Sequence, residues 1–167
     1  MNYAIRKASR EDLPRILTIY TQARKFMAET GNPNQWKNTH PPKQMLQEDI
    51  QAGNLYVITE SEEIHGVFAF LLGEDPTYGL IEDGHWLSDA PYGTIHRIAG
   101  DGSGGILHAC VNYCLRTISH LRIDTHEENR VMQGAIRKEG FQRCGIIYLA
   151  DGSPRIAYAL TAELRRP

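Results

Sequence analysis

Apolar residues recur at helical spacing in four stretches of the chain, and short β-branched or alternating runs lie between them. Leu13, Ile16, Leu17, Tyr20, Ala23 and Met27 form one apolar stripe and predict a helix from about Arg10 to Glu29. Ser9 with Asp12 three residues later resembles a capping pair at its start, and Gly31-Asn32-Pro33 ends it. Pro41-Pro42 opens a second helix carrying Met45, Leu46 and Ile50, which Gly53 closes. Gly105 to Thr117 reads as a third, with His108, Asn112 and Arg116 marking its wet face. Glu127 to Lys138 is a fourth, with an acidic first turn, a basic last turn and Gly140 as its stop.

The strand-like runs are Tyr3–Lys7, Leu55–Thr59, Ile64–Leu72, Thr94–Ala99, Leu121–Thr125, Phe141–Leu149 and Arg155–Leu160. A turn at Glu62-Glu63 makes the second and third a hairpin, and Asp151-Gly152-Ser153-Pro154 joins the last two. Gly73 to Pro91 is rich in Gly, Pro, Asp and Tyr, with an irregular strand expected near Tyr78–Glu82. Its aromatics Tyr78 and Trp86, with Tyr92 just beyond, suggest a loop that covers something. Antiparallel hairpins thus surround one strand–helix–strand unit. With no repeat or linker, the 167 residues are expected to form one domain spanning 1–167.

The strand Thr94–Ala99 runs into Gly100-Asp101-Gly102-Ser103-Gly104-Gly105 and then directly into a helix. Strand, glycine turn and helix is how bare backbone N–H groups are brought up to a pyrophosphate. A Walker phosphate loop is excluded because no Gly-Lys-Ser/Thr closes the segment. Gly100, Gly102 and Gly105 match a dinucleotide fingerprint, and Asp124 stands where a ribose-binding acid belongs. Only one helix and a hairpin follow Asp124, however, so the parallel units of such a domain cannot be completed. An acyl-CoA site asks for less. The pyrophosphate rests on Gly102, Ser103, Gly104, Gly105 and Ile106, and the amide-rich pantetheine arm pairs with the strand edge at Ile98 and Ala99. That arrangement needs two parallel strands that splay apart, and the inferred order supplies them.

Composition removes other classes. Hydrophobic content of 41% and charged content of 23% are those of an ordinary globular protein. A net charge of −2 gives no electrostatic case for nucleic acid. No apolar run approaches the about 18 residues of a membrane span, and MNYAIRKASRED lacks the apolar core of a signal peptide. A cytoplasmic location without membrane association is therefore expected. Cys110, Cys114 and Cys144 read as reduced core residues, and the seven histidines show no metal-ligand spacing, so no metal is expected.

The opening YAIRKASREDLPRILTIY, the loop RIAGDGSGGI and the segment NRVMQGAIRKEGF resemble GCN5-related N-acetyltransferases (GNAT) over nearly the whole chain. The last segment is similar to the family's N-x-x-A-x-x-L-Y-x-K-x-G-F, with Asn129, Lys138, Gly140 and Phe141 matching. GNPNQW, DTHEEN and DGSPRIAY resemble a bacterial subgroup of unassigned substrate. The chain departs from the family in three places. No Arg or Gln opens the loop, Leu107 stands where a small residue is usual, and Ile136 replaces the Tyr that often protonates the CoA thiolate.

The resemblance implies an α+β acyl-CoA N-acyltransferase fold. Its central sheet is mixed and mostly antiparallel, with a V-shaped splay between two parallel strands, and helices flank it. It implies acetyl-CoA as co-substrate, a small-molecule or peptide amine as acceptor, and Asn129 as a CoA contact. A homodimer is compatible with it, although no apolar stripe marks an interface. Direct attack by the amine in a ternary complex needs a base, for which His96, Asp124, His126 and Glu127 are candidates; His96 lies on the strand beside the expected acetyl group. Arg97 is a candidate partner for Asp124. Tyr148 is the candidate acid in place of the missing Tyr. Gln35, Trp36, His85 and Trp86 are candidate walls of the acceptor pocket. The alternatives are a catalytically inactive CoA-binding module of the same fold and a dinucleotide-binding oxidoreductase.

Overall fold

The computed structural model describes residues 2–165. In chain order the elements are β1 (Ala4–Lys7), α1 (Leu13–Glu29), α2 (Lys43–Ala52), β2 (Leu55–Glu60), β3 (Glu63–Leu72), β4 (Gly93–Gly100), α3 (Ile106–Leu115), β5 (His120–Thr125), α4 (Arg130–Lys138), β6 (Gln142–Tyr148) and β7 (Pro154–Thr161). The strands form one seven-stranded sheet in the order β1-β2-β3-β4-β5-β7-β6. Every neighbouring pair is antiparallel except β4 and β5. Ile58, Phe68, Ile95, Cys110, Leu121 and Ile136 close the core between the sheet and α3 and α4. Ile16, Ile19, Tyr20, Trp36, Leu46 and Val67 close the other, beneath α1 and α2.

Local chemistry explains most element ends. The Asp12 carboxylate accepts from the Ser9 N–H at 2.7 Å and pairs with Arg6 at 2.8 Å, so the capping pair forms with Asp in place of Glu. A 3-10 turn, Arg10–Asp12, leads into α1. The β2–β3 turn falls on Ser61 and Glu62, one residue before the expected pair. Both have positive φ, 51° and 70°, which gives the two-residue connection the twist that a hairpin requires. The last helix starts at Arg130 behind Asn129, whose side chain accepts from the Met132 N–H at 3.0 Å. Glu127 and Glu128 therefore precede the helix, where they do not form the expected acidic first turn.

The strand expected near Tyr78–Glu82 is instead a 3-10 turn, Pro76–Tyr78, followed by a single bridge between Glu82 and Ile146. The chain comes so close to β6 here that a Cβ on Gly145 would lie 2.4 Å from the Glu82 carbonyl oxygen.

Two irregularities in β4 position the site. Its parallel ladder with β5 holds only at Gly93↔Leu121 and Thr94↔Arg122; beyond Thr94 the strands part into a V. On the other side, Ala69 faces His96 but Val67 faces Ala99, so β4 carries a bulge at Arg97 and Ile98. Arg97 adopts φ +54°, a strained value for a non-glycine residue. Two helices hold it there: Tyr20 of α1 donates to the Arg97 carbonyl at 2.7 Å, and Asp49 of α2 takes the guanidinium at 2.8 and 3.1 Å. Arg97 thus pairs with Asp49, and the expected partnership with Asp124 does not form.

Candidate active site

The V between β4 and β5 opens into two cavities that share Met27, Ile98, Asn129 and Met132. The first is a groove of about 500 Å³ between α1, the glycine loop and α4, lined by Ile98, Ala99, Gly102, Ser103, Ile106 and Leu107 among others. Phe26 and Val131, both about half exposed at 52% and 54%, form apolar lips on it. At its base the first N–H groups of α3 have no partner within the helix. The cradle is open, since a Cβ on Gly102 would meet nothing within 4 Å. An apolar trough ending in bare amides fits a pantetheine arm followed by a pyrophosphate.

The structure divides the glycine segment. Gly102, Ser103 and Ile106 face the groove, whereas Gly104 and Gly105 line a separate depression beside Tyr3, whose hydroxyl donates to the Gly104 carbonyl at 2.8 Å. Gly105 caps α3 with φ +81°, so its part is to turn the chain into the helix. Asp101, an acid within the glycine loop, is held by neighbouring groups. Its carboxylate lies 3.2 Å from Arg15 and 2.8 Å from His65, and it accepts the Ser103 N–H at 3.0 Å. Burial opposes the charge on Asp101, but the hydrogen bonds from Ser103 and His65 prevail and lower its pKa.

The second cavity, about 440 Å³, lies under the loop after β3 and contains the polar groups. The His96 Nε2 is 2.7 Å from Asp75 Oδ2. Burial works against the ionised form of Asp75, yet the hydrogen bonds from His96, the Thr77 hydroxyl and the Thr77 N–H hold its pKa at about 2. Asp75 is thus a permanent carboxylate. A carboxylate can only accept, so the His96 Nε2–H donates this bond, and in the neutral ring Nδ1 is then the acceptor. Asp124 accepts from the Tyr78 hydroxyl at 2.7 Å. Burial raises the Asp124 carboxyl, with His96 and Tyr78 pulling against it. Burial, with Asp124 beside it, pushes Tyr78 upward in turn. His40 is held near pKa 4 by burial and by the neighbouring Arg97 and Arg155 charges, so it is neutral at pH 7.

Of the expected wall residues, Gln35 and Trp36 line this cavity. Gln35 Oε1 accepts from Asn32 and Asn129, both at 2.9 Å, so it ties the α1–α2 connection to the start of α4. Trp36 also packs edge-on against Tyr20, with ring centroids 5.7 Å apart, and serves core and cavity together. Asn129 likewise has two tasks, capping α4 and lining both cavities.

Trp86 does not reach either cavity. Its N–H donates to the Tyr78 carbonyl at 3.0 Å, and its ring and that of Tyr92 clamp the Arg122 guanidinium, which lies 3.8 Å from each centroid. Tyr148 is also elsewhere. Because β7 inserts between β5 and β6, β6 is the outer strand, and the exposed Tyr148 hydroxyl meets Glu82 at 3.1 Å. His126 accepts from the Glu128 N–H at 3.0 Å at the entry to α4. Ile136 is fully buried in the core, so nothing from that position reaches the groove.

Sequence reasoning missed Asp75, Tyr78 as a partner of Asp124, and Arg155. Asp75-Pro76-Thr77 reads only as a turn, and nothing local announces a histidine 21 residues away. Arg155 carried a signal. It is a lone charge at the head of the apolar run IAYAL, alternating onto the same side as Ala157 and Ala159.

No protein-family model and no curated protein matches the chain. Among solved structures it is similar to an acetyltransferase of the GNAT family from Streptococcus agalactiae, with 30% identity, 95% of each chain covered and a TM-score of 0.87. A putative acetyltransferase from Staphylococcus aureus shares 23% identity over 95% of this chain and 98% of that one, with a TM-score of 0.68. The ribosomal-protein-S18-alanine N-acetyltransferase of Escherichia coli shares the fold at 14% identity, covering 96% and 94% of the two chains, with a TM-score of 0.61. A sheet with a single parallel pair is not a doubly wound domain, which removes the dinucleotide alternative.

Proposed function

The chain belongs to the GNAT family of acetyltransferases, and we propose that it moves the acetyl group of acetyl-CoA to the amine of a small acceptor by direct attack in a ternary complex. The observation that carries this reading is the meeting of the two cavities at the β4–β5 splay. One is an apolar trough ending in free amides. The other holds His96, whose Nε2 is hydrogen-bonded to the Asp75 carboxylate. A thioester laid along the first would present its carbonyl carbon to an amine in the second.

An acceptor ammonium near pKa ~10.4 must lose a proton before it can attack. His96 takes that proton at Nδ1, and Asp75 stabilises the imidazolium that results. The C–N bond forms as the C–S bond breaks, and the second amine proton ends on the departing CoA sulfur. N–H groups on the splayed edge of β4 beyond Thr94 are available to the thioester oxygen. Among the described residues no cysteine lines either cavity, which supports direct attack over an acyl-cysteine route. No tyrosine lines them either, so that second proton passes from the nitrogen to the sulfur directly or through a relaying water.

The test is thiol release from acetyl-CoA across a broad amine panel, run beside acetyl-CoA binding. Turnover with binding supports the reading. Binding with no turnover on any amine would instead make this a CoA-binding module, the alternative favoured by the absence of a tyrosine acid.

A further inference from the structure

Arg155 is 7% exposed and lines the second cavity. Its guanidinium donates to two carbonyl oxygens, of Pro154 at 2.8 Å and of Gln35 at 3.2 Å. Among the described residues it is in no ion pair. A buried charge without a paired counter-charge in contact is costly, and a guanidinium has five donors in a fork that suits a carboxylate.

The acidic groups around it are already engaged. Asp75 holds His96. Asp151 caps its own turn by accepting the Ser153 N–H at 2.9 Å. Asp124, which pairs with Ala157 and so lies diagonally across the β5–β7 ladder from Arg155, accepts from Tyr78. Burial lowers the pKa of Arg155, and Asp124 and Asp151 only partly oppose it. The other cations nearby do not compete for an anion on equal terms. Arg97 is neutralised by Asp49, His40 is uncharged at pH 7, and Lys37, which also lines the cavity, is exposed, so its charge is solvated.

His96, Asp124 and Arg155 come from three adjacent strands and line one cavity. On one side stands a candidate base for an amine, on the other a buried cation in no ion pair among the described residues. We propose that the acceptor is a small amino-acid-like zwitterion whose carboxylate binds Arg155 while its amine is presented to His96 at the mouth of the V. This rests on the acetyl-transfer reading above and narrows its substrate class. It predicts rejection of polyamines, which would set a second ammonium against Arg155.

The experiment compares free amino acids with their carboxamides, with the matching decarboxylated amines and with spermidine, in wild type, Arg155→Gln and Arg155→Lys. Wild type should favour the carboxylate-bearing acceptors in kcat/KM by at least about tenfold over their carboxamides. Arg155→Gln should erase that preference, mainly through KM, and Arg155→Lys should restore part of it. Equal kcat/KM for acid and amide in wild type, or preference for spermidine, would overturn the proposal. So would equal losses on acid and amide in Arg155→Gln. Thermal shift with the same panel, in the presence of CoA, separates the two readings. If no acceptor is acetylated, carboxylate-dependent stabilisation of wild type that is lost in Arg155→Gln still upholds the carboxylate site, while acetyl transfer fails. Absence of any carboxylate-dependent shift removes the site. Arg155→Lys serves as the folded control should Arg155→Gln be unstable.

Discussion

The two cavities that meet at the β4–β5 splay recognise by different means. The groove works with backbone and apolar surface, using open glycine geometry at Gly102, the first amides of α3, and the walls Ile98, Leu107 and Met132. The second cavity is built from side chains that reach it from far apart in the chain, and most of its charges have an assigned partner. A backbone site tolerates changes of side chain and suffers from changes of φ. A side-chain site behaves the opposite way.

Mutation should separate them along this line. The largest effect is expected from His96→Ala, which should lower kcat by about 10²- to 10⁴-fold, the usual worth of a general base. Acetyl-CoA affinity, measured by calorimetry, should not move. An equal fall in affinity would place His96 in the groove instead. Gly105→Val forces a β-branched residue to φ +81° at the start of α3. The strain, on the order of 1–2 kcal/mol, should raise the KM for acetyl-CoA by about tenfold and leave kcat at saturation near wild type; a kcat defect with unchanged KM would contradict the division.

Asn129→Ala touches both cavities through one residue. Loss of the cap should cost about 1 kcal/mol and lower the melting temperature by a few degrees. Both KM values should rise together, and a rise in only one would show that Asn129 serves a single side.

The smallest effect concerns pH. The folded pKa of Asp75 is depressed to about 2, below the unfolded carboxylate value near ~3.9. Its contribution to stability is therefore fully present above pH ~4 and is lost as pH falls from there towards 2. Asp75→Asn should flatten the stability profile in that window. An unchanged profile in a chemical-denaturation series would show that the His96–Asp75 bond adds nothing to folding.

How much of this was legible in the sequence follows the same division. Helix stripes, glycine stops and β-branched runs are local, and they locate every strand and helix to within a few residues. The turn from β4 through the glycine segment into α3 was legible for the same reason, because φ freedom is written in the residue itself. The partition of that segment, with Gly104 and Gly105 turned away from the groove, depends on where Tyr3 sits, about a hundred residues earlier. The insertion of β7 between β5 and β6 likewise leaves no local mark, and it places Tyr148 on the outer strand, where it is exposed while its neighbour Leu149 lines the second cavity. Asp75 and His96 were both visible as residues, but their bond exists only once the loop is laid over β4. Trp86 has the composition of a pocket wall, yet its ring is taken by Arg122 on a neighbouring strand.

The loop after β3 supplies Asp75 to His96 and Tyr78 to Asp124, and the Trp86–Arg122–Tyr92 clamp fastens it to the sheet. It is built as a wall: swinging it outward would break the His96–Asp75 and Tyr78–Asp124 hydrogen bonds in one movement. Under the proposed reaction an acceptor enters past this wall, and its selection precedes any commitment to chemistry.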